Sequence, residues 1–160
     1  GDGAGGVRHH RVEEGHGGGV VVDGLRQIDA NTSISGSFMH QLALEAMGIT
    51  AQLVATTLGL PLCEQHSDAS LAVLDISKHW AQDAINSLPH SWETTSDSLA
   101  ATVATTKKSG LLLVKSTPPK TDSLQRLVSS GWVDQYFPTA CAGLESIRWT
   151  SQQQPNEPNR

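Results

Sequence analysis

The segment LLLVKS (111–116) limits the fold more than any other stretch of this chain. Gly110 closes it on one side and Pro118-Pro119 on the other, so it is too short for a helix. Four consecutive apolar residues without alternation are the pattern of a parallel strand buried on both faces, which expects helices above and below it. The polar block HSWETTSDS (90–98) stands before it and leads into the apolar positions Leu99, Ala100 and Val103. That pattern predicts a helix from about Asp97 to Lys107 with Ser96 as its N-cap. Lys107 and Lys108 fall in its last turn, where positive charge suits the helix dipole. The block and the strand end at Lys115-Ser116 can therefore meet at neighbouring element ends, which is how α/β proteins build phosphate or nucleotide sites.

The rest of the chain alternates in the same manner. Glycines 17–19 precede VVVDGLRQI, and the spacing of Val21, Leu25 and Ile28 predicts a helix beginning just after them. Apolar residues at 39, 42, 43, 46, 47, 53, 54 and 58 predict a long amphipathic helix from Gly36 to Leu58, ended by Gly59 and Pro61. LAVLDIS (71–77) reads as a strand and Lys78 to Ser87 as a short helix stopped by Pro89. Helices are expected over Asp122 to Ser130 and Val133 to Cys141, and a last strand over LESIRWT (144–150). This order predicts an α/β domain with a mainly parallel sheet, although three strands make a small one. Such a sheet leaves open edges, so a homo-oligomer is expected. Residues 1–16 and 151–160 read as flexible tails flanking one domain over 17–150.

Composition narrows the function classes. The chain has 160 residues, 11 basic against 16 acidic side chains and a formal charge of −5, with no basic stripe interleaved with aromatics. Nucleic acid is therefore not an expected partner. No apolar run approaches a membrane span, and the N-terminal stretch lacks the apolar segment of a secretory signal. Cys63 and Cys141 stand in unrelated contexts, which fits a reducing compartment and a cytoplasmic protein. His9, His10 and His16 have no partners at ligand spacing, so no metal site is expected among them. The four tryptophans share no helical register and read as separate packing anchors.

Several segments, in order, resemble the amino-acid kinase superfamily, the aspartate, glutamate and uridylate kinase-like proteins, and in particular kinases of the aminomethylfuran-phosphate type. They are GGGVVVD (17–23), Arg26 with Asp29, His40 with Met47, LPHSWETTSDSLAA (88–101), LLLVKS (111–116), VDQYFP (133–138) and IRW (147–149). The resemblance implies a three-layer αβα sandwich. It also implies transfer of a phosphoryl group from ATP, with Mg2+, to a small-molecule acceptor. It places Gly17, Gly18 and Gly19 at the transferred phosphate and Thr95, Ser96 and Ser98 among the substrate contacts. Asp97 would organise the phosphate-binding groups, and Lys115 and Ser116 would border the nucleotide.

Each of these residues has a simpler reading. The glycines lie in a glycine-rich tail, Asp97 suits the first turn of any helix, and Lys115 can reach solvent from a strand end. His40 and His90 read as packing or hydrogen-bonding side chains, and neither Asp75 nor Asp134 is given a role. The family's first strand, ending in a lysine and a Gly-Gly-Ser turn, has no counterpart before Gly17. The domain is therefore expected to be N-terminally incomplete, and the alternative function is a non-catalytic nucleotide-binding, anion-binding or assembly protein of the same fold.

Overall fold

Helix α1 (Gly19–Asp29) starts at the last glycine of the run, in a computed structural model that describes residues 19–64, 71–79 and 87–151. Its buried residue is Val22, while Val21 and Ile28 are exposed. The 21, 25, 28 register thus marks the wrong side, because VVVD offers three equivalent starting points for the apolar stripe.

Helix α2 (Gly36–Leu58) has the expected bounds. Ser35 caps it by accepting the Phe38 N–H at 3.3 Å. Gly59 ends it in the left-handed conformation, φ 63°, and the Leu60 N–H reaches back to the Ala55 carbonyl. Met39, Leu44 and Ala46 are buried, but Leu53, Val54 and Leu58 on the expected apolar face are exposed.

The strand expected over 71–77 is shorter. Strand β1 (Leu62–Cys63) pairs in parallel with β2 (Val73–Leu74), and the chain then turns into α3 (Ile76–His79). Asp75 causes the turn. Its carboxylate accepts the Ser77 N–H at 3.0 Å and the Ser77 hydroxyl at 2.6 Å, which starts a helix instead of extending the ladder. Gly48 of α2 permits the close approach, since a Cβ there would lie 2.5 Å from Ser77 Oγ and 2.9 Å from Asp75 Oδ1. Most of the helix expected over 78–87 lies outside the described residues.

The second half is a βαβ unit. Helix α4 (Ser96–Thr106) leads to β3 (Leu111–Lys115), and the crossover carries α5 (Leu124–Ser129) and α6 (Phe137–Ala140) before β4 (Ile147–Ser151). β3 and β4 run parallel from Leu111↔Ile147 to Lys115↔Ser151. Helices expected over 122–130 and 133–141 are present in shortened form. The described strands therefore form two separate two-stranded parallel sheets.

Two apolar clusters hold the domain. Leu113, Leu127, Val133, Phe137, Cys141 and Ala101 form one, and Leu44, Ile76, Leu88 and Leu99 form the other. Helix α4 contributes to both, through Leu99 and Ala101. β3 is buried on one face only: Leu113 is in the core, whereas Leu112 and Val114 are 57% and 62% exposed. The reading of 111–116 as doubly buried is corrected accordingly. Trp132 and Trp149 are not separate anchors either, since their rings meet edge to face at 5.7 Å.

Candidate functional site

The start of α4 is organised by a residue far away in sequence. Thr95 occupies the N-cap position, one residue before the expected cap Ser96, and its side chain makes no bond within its own helix. Asp134, in the turn before α6, supplies the cap instead. Its Oδ2 accepts the Thr95 N–H at 2.9 Å, the Thr95 hydroxyl at 2.8 Å and the Ser98 N–H at 3.1 Å. Its Oδ1 accepts the Ser98 hydroxyl. One carboxylate thereby satisfies the N-cap and third-residue donors of the helix, as the two halves of a capping box do. Next to it the Tyr136 N–H donates to the Glu93 carbonyl at 3.0 Å, which ties the polar block to the end of the crossover.

Asp97 is itself buried, close to Asp134, whose backbone is hydrogen-bonded to its carboxylate. Lys115 Nζ lies 2.6 Å from its Oδ2, and both side chains are largely withdrawn from water. The ammonium also stands 5.3 Å from the centroid of the Trp132 ring, whose indole N–H donates to the Thr117 carbonyl at 3.1 Å. Burial pushes the Asp97 carboxyl above its ordinary range. The Lys115 charge and hydrogen bond offset part of that effect, and the nearby Asp134 charge adds to it.

The structure thus brings together Thr95, Ser98, Asp97 and Lys115. Ser116 is exposed one residue beyond them. Ser96 is half-buried and lines the rim of a mainly apolar groove of about 400 Å3 between α2 and α4. Gly17 and Gly18 lie outside the described residues. Gly19 opens α1 with φ 78°, but α1 meets the polar block at its opposite end. There Asp29 accepts the Trp92 indole N–H at 2.7 Å and Arg26 lies over the Trp92 ring. Gly19 stands roughly 15 Å along the helix axis from that contact, at 1.5 Å per residue.

Asp134 is the residue that the sequence reading missed. Its partners lie 36 and 39 positions away, and no local spacing announces them. In chemical terms the helix start already holds an anion. The Thr95 and Ser98 donors that would face a phosphate all face Asp134, so a phosphoryl group could bind there only by displacing the carboxylate. Asp97 would have to leave Lys115 before it could hold Mg2+. Among the described residues no three His, Cys, Asp or Glu side chains gather as a metal site, and no helix is long and apolar enough to cross a membrane. No family model and no curated protein matches this chain.

Proposed function

We propose that the chain is a non-catalytic, self-associating α/β domain of the cytoplasm. In this reading its resemblance to the amino-acid kinases is one of architecture. The observation that carries the reading is the Asp134 carboxylate seated on the N-terminal donors of α4. A fold that bound phosphate at this point would leave those donors to the ligand, whereas here they hold the crossover against the helix. Cys63 and Cys141 are both free thiols, as a reducing compartment permits.

Association supplies what the small sheet lacks. On its outer face β3 presents Leu112 and Val114, and β4 presents Arg148 and Thr150 opposite them. A three-layer sandwich covers that face with a further layer. We assign the covering to a second copy, because the β3 half of the face is apolar and the β4 half carries Arg148 as its one charge. Val114→Lys should convert a dimer into a monomer in light scattering. A wild type that stays monomeric at high concentration would sink the assembly reading.

The second reading is an ATP- and Mg2+-dependent kinase acting on a small acceptor. It draws on Lys115, a cation at the carboxyl end of a parallel strand beside Asp97, with Ser116 exposed next to it. Here Lys115 would neutralise phosphate charge after exchanging Asp97 for the nucleotide. Calorimetric titration with magnesium-ATP separates the two. Binding by the wild type that is lost in Asp97→Asn supports the kinase, and a folded chain that takes up no nucleotide supports the non-catalytic domain.

A further inference from the structure

Helices α2 and α4 meet in one apolar cluster, through Leu44 and Leu99, and the groove of about 400 Å3 opens beside that contact. Its walls follow the two helices. Ser96, Ala100 and Val103 recur along α4 at steps of four and three, and Met47 and Ala51 stand one turn apart on α2. Leu74 of β2 adds to the lining, and like Met47, Ala51, Ala100 and Val103 it is only half-buried. Apolar surface along the groove is therefore still open to an occupant. Neither reading uses it, and none of these residues belongs to the outer face of β3 and β4.

The dimensions choose among occupants. From Ser96 to Ala104, both in the lining, α4 advances roughly 12 Å. Spread over that length, 400 Å3 leaves a section of roughly 33 Å2. A helix about 10 Å across needs roughly 80 Å2 and is too thick, whereas a single polymethylene chain fits. At roughly 1.3 Å of advance per carbon–carbon bond, the groove takes about ten carbons. The ends differ in charge. At the Ser96 end the α4 donors already hold the Asp134 carboxylate, which disfavours a second anion there. At the other end Lys108, φ 51°, turns the chain, and the Ser109 N–H folds back on the Ala104 carbonyl at 2.9 Å. Lys107, Lys108 and Ser109 are exposed at this end, and among the described residues of the lining none is charged.

We propose that this groove binds one fatty carboxylate of about ten carbons, with its tail between α2 and α4 and its head group at Lys107 and Lys108. The apolar walls take the methylenes out of water, and the two ammonium groups meet the carboxylate where it emerges. An aliphatic chain with a neutral or positive head keeps the first of these contributions and loses the second. Because the lining comes from α2, β2 and α4, the bound chain would also tie together the two halves of the domain that the separate sheets leave apart.

Calorimetric titration of the full chain with carboxylates of increasing length tests this. Affinity should rise about fourfold per methylene from hexanoate to decanoate and level off by tetradecanoate. Decyltrimethylammonium should bind about fivefold more weakly than decanoate. Lys107→Glu combined with Lys108→Glu should reverse that preference and leave decanol binding unchanged. Ala100→Phe places a ring in the groove and should abolish decanoate binding in a chain whose circular dichroism matches the wild type. Should that variant not fold, the length series and the charge variant decide. A wild type that takes up no decanoate would overturn the proposal, as would affinity that keeps rising past tetradecanoate or ignores Ala100→Phe. Equal binding of the carboxylate and the ammonium would overturn it too. Binding to phosphatidylglycerol vesicles without uptake of free decanoate would point to a membrane surface and overturn it as well.

Discussion

Helices α3 and α4 both begin on an aspartate, and the two aspartates could hardly work more differently. Asp75 stands immediately before its helix and bonds the residue two positions on. Asp134 reaches its helix from 36 and 39 positions away and makes four bonds there. A local cap starts a helix wherever it occurs in the chain. A remote cap starts one only if the rest of the domain is already in place, so it reports on tertiary structure as much as on helix formation.

Removing the remote cap should break this contrast most sharply. Asp134→Ala strands the Thr95 and Ser98 donors and should cost about 3 kcal/mol in chemical denaturation. It should also raise hydrogen exchange in the first turn of α4 and in α6 together. Exchange confined to α4 would mean that the bond does not tie the two segments. Gly48→Ala attacks the other start from outside, by pushing a methyl group against Ser77 and Asp75. About 2 kcal/mol is expected from the same assay, since a tightly packed contact must shift. Asp75→Ala removes two bonds and should cost about 1.5 kcal/mol, roughly half the Asp134 effect. Equal costs for Asp75 and Asp134 would erase the distinction between local and remote capping.

The smallest effect is one of pH dependence. Asp97 binds its proton more tightly in the folded protein than its ordinary value of 3.8 allows. A raised carboxyl pKa favours the folded state in acid, and that advantage is lost as the pH rises from 3.8 through the folded value. The stability of wild type relative to Asp97→Asn should therefore fall across that window and then level off. Denaturation midpoints at a series of pH values measure it, and a difference that grows with pH would show that Lys115 outweighs burial.

Locality also decides how much of the molecule is legible in its sequence. Helix α2 carries Ser35 at one end and Gly59 at the other, and both act on their immediate neighbours. The parallel β3–β4 unit is legible because Gly110 and the two prolines frame an apolar run. Strand β1 is not, for it is two residues long and follows a proline. The strand expected over 71–77 runs through Asp75, although the Asp-x-Ser pattern there is a local signal of a helix start. In the candidate site, Asp97 and Lys115 could be named from a strand end and a helix start. Asp134 could not, because what makes it important is a closure of the whole crossover. The stacking of His40 on His90, ring centroids 4.9 Å apart between α2 and the polar block, is hidden for the same reason.

The pairing of β3 with β4 has a consequence for how the chain finds its register. Leu111, Leu112, Leu113 and Val114 would suit the core in either orientation, so β3 does not by itself say which face is inner. β4 makes the choice, with Ile147 and Trp149 packed inward and Arg148 and Thr150 left in water. A slip by one residue would carry Arg148 toward the core and Trp149 out of it. The Leu111 N–H on the Ser146 carbonyl, with Gly110 pressed against the Ser146 side chain, then fixes the first rung. Arg148 is thus a sorting element, and an apolar residue there would leave this sheet with two registers of comparable merit.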